Sequence, residues 1–341
     1  MLKKIFLVLV SFSMLITFFM VVDFFRQKDF FPSVYLVEIP IKKAPEQIVN
    51  TKNTADLVFG GDVMLSRKIG LIIKEKKDVN YFWEPIKEIF SKADISFVNL
   101  ESPISDKGKN VGSIYSFHAD PLVTAGLTYS GIDIVSFANN HVWDWGKESF
   151  LDTMKNLHTA GVEYAGSGEN FSDSHTPKIF ERNGIKVAYL AYTNLVSYSL
   201  RGADSSPSVA GIDLEQIEKD IKKARENGAD FVATSFHFGE EYETEHNAYQ
   251  EQIAHSVIDV GANIVIGHHP HVAEEVELYK GGVIAYSLGN LIFDQNFSRD
   301  TSWGLVLKIR VDQSKVLSVE KIPVHFDSTY RPIPGTIETV L

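Results

Sequence analysis

The chain has 341 residues, of which 44% are hydrophobic and 23% charged, a formal net charge of -11, and no cysteine. Length and composition allow a substantial globular core. The charge argues against a nucleic-acid partner. The missing cysteines exclude disulfides, thiolate-held zinc, iron–sulfur clusters, thiol nucleophiles and a lipid-modified cysteine anchor.

In chain order, the amino terminus gives the first signal. Lys3 and Lys4 precede 18 uncharged, mostly apolar residues from Ile5 to Val22, and Phe24 and Phe25 follow Asp23. That length reaches the lower limit for a bilayer-spanning helix. A cleaved signal peptide has a shorter apolar core and a small-residue cleavage site, and the ending Met20-Val21-Val22-Asp23-Phe24-Phe25 lacks that site. Residues 1–25 are therefore expected to form a cytoplasmic tip and an uncleaved transmembrane helix. The two lysines stay inside. The expected location is the cell membrane, single-pass, with the carboxyl-terminal domain extracytoplasmic. Residues 26–54, with Pro32, Pro40 and Pro45 and no sustained helical period, read as a linker.

From Ala55 onward, short β-branched apolar runs alternate with amphipathic stretches. The runs are Asp56–Phe59, Ile95–Val98, Ile132–Phe137, Lys186–Ala191, Phe231–Phe236, Ile264–Ile266, Val283–Tyr286 and Leu305–Val311. The helix-like stretches include Val79–Ser91, Gly146–Ala160, Asp213–Asn227 and Glu245–Val260. This alternation predicts one layered α/β domain over residues 55–341 with a largely buried sheet. The polar, serine-rich loop Ser197–Ala210 suits a mobile surface segment.

The chemistry lies at the ends of the strands. In open α/β sheets ligands bind beyond the carboxyl ends of the strands, and here five runs end in groups able to hold a metal. They lead into Asp62, into Asn99 and Glu101, into Asn140, His141 and Asp144, into His237, and into His268, His269 and His271. Five of the 11 histidines fall in these positions. Taken alone, each residue has an ordinary explanation: Asp62 as a turn or helix-cap residue, Asn140 as a left-handed turn residue, His237 as a structural histidine. Five strand ends with the same bias are harder to dismiss. Carboxylate, amide and imidazole donors without thiolates suit one or two divalent ions, Mn²⁺, Fe or Zn²⁺, in an open site.

The segments Gly61-Asp62-Val63-Met64-Leu65, Asn99-Leu100-Glu101, Asn139 to Gly146, His237-Phe238-Gly239, Gly267-His268-His269-Pro270-His271 and Tyr286-Ser287-Leu288-Gly289-Asn290 resemble the capsule-synthesis CapA family. That family is associated with poly-γ-glutamate capsules and belongs to the calcineurin-like metallophosphoesterase superfamily. The resemblance spans Asp56 to Asp294 and implies a four-layer α-β-β-α sandwich. It implies a first-metal ligand at Asp62, a bridging position near Glu101 with Asn99 as the other candidate, and a second-metal amide ligand at Asn140. His237, His269 and His271 complete the set. His141 resembles the general acid, with Asp144 orienting its ring. Two positions depart from the pattern. Met64 stands where a histidine is usual, and Pro270 stretches the Gly-His-x-His spacing, so His269 and His271 are preferred to His268 and the two metals are expected to be unequal.

Asn99, His268, Arg67 and Arg201 remain as candidate substrate-binding residues, the arginines for gripping an anionic group. Three functions fit. The first is an anchored, metal-dependent component of capsule or poly-γ-glutamate-type polymer synthesis or export, partnered by membrane polymer-synthase subunits. The second is a stand-alone extracytoplasmic metallophosphoesterase on small phosphate esters, and the third a non-catalytic scaffold of a polymer-synthase complex. A polyanion must overcome the negative charge of the chain, for which Lys107, Lys109, Lys178, Arg182 and Lys186 offer a basic face.

Overall fold

The computed structural model describes residues 53–341 except 203 and 204. The expected membrane anchor and almost all of the linker lie outside these residues, and among the described residues no helix is long and apolar enough to cross a membrane. The described residues fall within one compact unit.

Eight strands carry or support the site: β1 (Thr54–Val63), β2 (Ile95–Leu100), β3 (Ile134–Ser136), β4 (Ile185–Thr193), β5 (Phe231–His237), β6 (Ile264–His268), β7 (Asn290–Ile292) and β8 (Trp303–Asp312). In the first sheet β1 runs parallel to β2 and β2 to β3, while β8 pairs antiparallel with β1 on its other side. Beyond Phe59, β7 also joins β1, in parallel, setting Asn290 opposite Asp62. In the second sheet β4, β5 and β6 are parallel neighbours, and Val276–Tyr279 with Gly282–Ala285 forms a hairpin against β6.

Six helices are used below: α1 (Arg67–Lys76), α2 (Lys87–Ser91), α3 (Thr124–Ser130), α4 (Gly146–Thr159), α5 (Leu214–Glu226) and α6 (Ala248–Asp259). A single core joins Leu57 and Phe59 of β1 and Phe97 of β2 to Tyr189 of β4, Phe231 of β5 and Ile266 of β6. The rings of Phe59, Phe97 and Tyr189 pack at centroid distances of 5.8–6.2 Å. The alternate residues of β1 face the other way: a side chain on Gly60 would meet Phe90 of α2 at 2.9 Å. The far face of the second sheet packs Val232, Val265 and Ile284 on Ile217 and Ile221 of α5 and Ile253 and Val257 of α6. At about 1.5–3 kcal/mol for each large apolar side chain removed from water, this two-sided burial explains why β1, β2, β5 and β6 read as continuous apolar runs.

Local signals end the helices where expected. Asp213 caps α5 by accepting from the amides of Glu215 and Gln216. Asn247 and Gln250 form a reciprocal capping box on α6. Some expectations are corrected. The helix predicted over Val79–Ser91 is only α2, because Pro85 has no amide to donate and residues 79–86 turn instead. Helix α1 and the hairpin strand Val276–Tyr279 were not anticipated. The serine-rich segment after Ser197 is tied down near its end, where the Ala210 amide donates to the Gly166 carbonyl at 2.8 Å.

Candidate metal centre

Both sheets deliver polar groups to one place at the carboxyl ends of their strands. The first sheet brings oxygen donors. Asp62 and Glu101 are 0% exposed, and the Asn99 amide nitrogen donates to Asp62 Oδ1 at 2.8 Å and to Glu101 Oε1 at 3.2 Å. The second sheet brings nitrogen donors. His237 Nε2 lies 3.4 Å from Glu101 Oε1 and donates to Asn140 Oδ1 at 2.8 Å. His268 Nδ1 stands 3.1 Å from Asp62 Oδ1, and His271 Nδ1 stands 3.3 Å from Asp62 Oδ2. Ligand atoms of Asp62, Glu101 and His237 lie within 4.8 Å of one another.

The backbone is bent to achieve this. His269 and His271 have φ of 99° and 59°, left-handed values that cost a non-glycine residue on the order of 1–3 kcal/mol. Two close approaches demand glycine: a Cβ on Gly61 would sit 1.9 Å from the Gly289 carbonyl oxygen, and one on Gly267 1.7 Å from that of Tyr286.

Three buried atoms here have no hydrogen-bond partner, Glu101 Oε2, His268 Nε2 and His269 Nδ1, and a fourth, His268 Nδ1, has only its 3.1 Å approach to Asp62 Oδ1, which is not aligned as a hydrogen bond. Unsatisfied buried polar atoms are rare because each costs about 1–3 kcal/mol. Their convergence beside Asp62 suits a cation, and the mixture of carboxylate, amide and imidazole donors fits Mn²⁺, Fe or Zn²⁺. The local charge agrees. Burial raises the Glu101 carboxyl well above its usual range, and neighbouring Asp62 adds to the rise. Burial also works against ionised Asp62, but the imidazoles of His268 and His271 outweigh it and hold the pKa low. Burial lowers His237 strongly and His269 to about 4. His271 alone rises, to about 9, because Glu101 and Asp62 overcome its burial. Two buried carboxylates thus draw positive charge to this point.

His141 stands beside this cluster. Its Nδ1 donates to Asp144 Oδ2 at 2.8 Å, and Asp144 Oδ2 also accepts the Phe117 amide at 2.7 Å. The Phe117 ring stacks on His141 at 3.8 Å. Asn139 fixes the backbone here: its amide nitrogen donates to the Leu100 carbonyl at 2.8 Å and its oxygen accepts the His141 amide at 3.1 Å. Sequence reasoning misses these roles of Asn139 and Phe117. An asparagine beside a ligand is the available signal for the first; nothing local marks the second.

The remaining candidates separate. Asn99 and His268 lie inside the ligand cluster, 0% exposed. Arg67 sits at its edge, paired with Asp294 at 2.5 Å and lying over the Phe117 ring at 5.3 Å. Arg201 donates to Asn194 Oδ1 at 2.7 Å and covers the Tyr198 ring at 5.1 Å. The Arg67 guanidinium is committed to Asp294, whereas Arg201 has no carboxylate partner among the described residues and its buried Nε is unbonded.

Known proteins resemble this chain over the same region. It is 29% identical over 297 residues to the capsule biosynthesis protein CapA of Bacillus anthracis, covering 85% of this chain and 71% of that one. It is 29% identical over 279 residues to the PGA biosynthesis protein CapA of Bacillus subtilis, covering 81% and 73%. Among solved structures it is similar to the NAD nucleotidase of Haemophilus influenzae, with a TM-score of 0.49, 10% identity, and coverage of 83% and 60%. A hypothetical protein from Thermus thermophilus gives a TM-score of 0.46, 14% identity, and coverage of 83% and 97%. The profile of the bacterial capsule synthesis protein PGA_cap matches residues 56–295, which contain every residue of the candidate metal centre, and the chain belongs to that family.

Proposed function

We propose that this chain is a membrane-anchored, extracytoplasmic, metal-dependent hydrolase of the metallophosphoesterase type that serves synthesis or export of a poly-γ-glutamate-like capsule polymer. Its domain is then the four-layer sandwich, helices covering two packed sheets. The observation that carries this is the set of buried donor atoms without partners, gathered from both sheets beside a His–Asp pair. Family membership and the two CapA relatives support the polymer role.

Asp62, Glu101, Asn140, His237, His269 and His271 would hold the cation. When bound, a divalent ion supplies Lewis-acid polarisation and makes water acidic enough to attack near neutral pH. The protein supplies the rest. Asp144 holds the Nδ1–H side of His141, so Nε2 is the atom that would give a proton to the leaving group, from the doubly protonated ring, which then remains neutral with its Nδ1–H on Asp144. Because Asp144 is also tied to the Phe117 amide, and Phe117 covers one face of the ring, the imidazole keeps its direction. Such proton transfer contributes about 10²–10⁴-fold.

The test uses purified protein stripped by chelation and reloaded with Mn²⁺, Zn²⁺ or Fe²⁺. An aryl phosphate ester and γ-linked polyglutamate are offered as substrates. Metal-restored cleavage of either supports the proposal, and the preferred substrate separates the polymer role from a small-ester one. Stoichiometric metal without cleavage of either sinks the hydrolase. Membrane fractionation with and without residues 1–25 tests the anchor.

A further inference from the structure

His271 is held by a side chain that the mechanism above does not use. Its Nδ1 lies 3.0 Å from Asn290 Oδ1. The direction of that amide is fixed independently, because Asn290 Nδ2 faces the Thr301 carbonyl oxygen at 3.1 Å, an atom that can only accept. Nδ2 also donates to Gln295 Oε1 at 3.2 Å, and Gln295 Nε2 reaches the Tyr242 hydroxyl at 3.5 Å. The Tyr242 ring in turn lies over His271 at 6.2 Å, and its amide donates to the Pro270 carbonyl at 2.8 Å. A loop of contacts therefore runs from His271 through Asn290, Gln295 and Tyr242 back to the turn that carries His271. Asn290 is 0% exposed, opposite Asp62 in the strand register.

We infer that Asn290 is a positioning residue of the metal centre: its clamped carbonyl keeps a proton on His271 Nδ1 and so leaves Nε2, the nitrogen on the Glu101 side, as the only atom of that ring able to ligate. The inference rests on the metal reading above. His271 Nε2 lies 3.9 Å from Glu101 Oε2, and the other acceptor near Nδ1 is Asp62 Oδ2, which favours the same tautomer. With its amide turned over, Asn290 would set an N–H against an N–H and push the ring out of line. Partners that orient ligating imidazoles typically carry about 10–100-fold in metal affinity. Asn290 supplies that support through a neutral amide, which leaves the charge of the centre unchanged.

The experiment compares the full chain with Asn290→Ala, Asn290→Asp and Gln295→Ala. Zn²⁺ affinity is measured by competition with a chromophoric chelator, and the His271 tautomer by ¹⁵N NMR of histidine-labelled protein. In the wild-type Zn²⁺ form, His271 shows a protonated Nδ1 and a ligating Nε2. Asn290→Ala loses about 10–100-fold in affinity with an unchanged circular-dichroism spectrum. Asn290→Asp, which keeps an acceptor, recovers most of it, and Gln295→Ala loses less than Asn290→Ala. Wild-type affinity in a folded Asn290→Ala, or ligation through Nδ1, overturns the assignment. If Asn290→Ala does not fold, Asn290→Asp and Gln295→Ala still decide it. A wild-type protein that binds no Zn²⁺ defeats the metal reading instead, and the His271 tautomer in the metal-free protein, compared with that of Asn290→Ala, then decides the role of Asn290.

Discussion

Two clusters on this domain contain the same residue types and are built in opposite ways. At the strand ends, Asp62, Glu101, His237, His268, His269 and His271 are buried, and several of their carboxylate oxygens and ring nitrogens have no hydrogen-bond partner. Around α6 and the neighbouring hairpin, His246 donates to Glu275 at 2.5 Å, His255 to Glu277 at 2.9 Å, and the Tyr286 hydroxyl to Glu277 at 2.7 Å. There each imidazole also stacks on a tyrosine at 3.8 Å, His246 on Tyr286 and His255 on Tyr279. A cation entering the second cluster must break bonds already made, whereas one entering the first completes a set left incomplete. Composition alone does not mark a ligand site; several unpartnered buried atoms converging beside a carboxylate do.

The largest expected effect tests that distinction directly. Asp62→Asn keeps the shape and removes the charge between His268 and His271, so divalent-metal affinity falls by more than about 100-fold, beyond what supporting residues carry. Turnover falls to background with it. Isothermal titration with Mn²⁺ or Zn²⁺ reads this, and near-normal affinity would remove the basis for calling the first cluster open. Next comes His141→Asn, which lowers kcat by about 10²–10⁴-fold and leaves metal content unchanged. A matching loss of metal would make His141 part of the ligand set rather than the proton donor.

Glu274 lies in chain order between the clusters and tests a third arrangement, a buried acid only half satisfied. Its Oε2 accepts from Gln250 at 2.8 Å while Oε1 has no partner, and burial pushes the carboxyl up to about 7. The folded chain therefore holds a proton that the unfolded chain releases near the usual glutamate range. Stability is greatest below that range and falls as pH rises toward 7, remaining reduced above it. Glu274→Gln, which keeps the shape and cannot ionise, flattens this decline and raises Tm at pH 8 by roughly 2–4 °C. A Tm profile parallel to that of the parent would place the cause of the decline elsewhere.

Sequence made the strand ends visible because β1, β2, β5 and β6 are buried on both faces, so their first polar residues stand out after apolar runs. Asp62, Glu101 and His237 were legible for that reason. The partners that complete the centre were not. Asn290 acquires its role only through the pairing of β7 with β1, and Phe117 only through the fold of the loop before α3. Four of the five residues of the anticipated basic face are paired in the fold, Lys107 with Asp152, Lys178 with Glu163, Arg182 with Asp133 and Lys186 with Glu181, while Lys109 has no carboxylate partner among the described residues. Local charge can be counted in a sequence, but its neutralisation by distant carboxylates cannot.

The smallest effect tests the closed cluster itself. His255 and Glu277 are partly exposed, 24% and 34% in their side chains, so solvent screens their attraction. His255→Ala loses that hydrogen bond and the stack on Tyr279, together about 1 kcal/mol. Glu277 keeps the Tyr286 hydroxyl as donor, which limits the damage. Metal affinity stays at the parental value if the cluster is as self-contained as its bonds imply. The sharper measurement adds Zn²⁺ to Asp62→Asn and to the double variant Asp62→Asn with His255→Ala while following Tm. Equal, negligible shifts keep the two clusters distinct. A Zn²⁺-dependent rise that disappears with His255 would mean that the second cluster opens to a cation after all, and that partnered imidazoles on this surface yield more readily than their distances suggest.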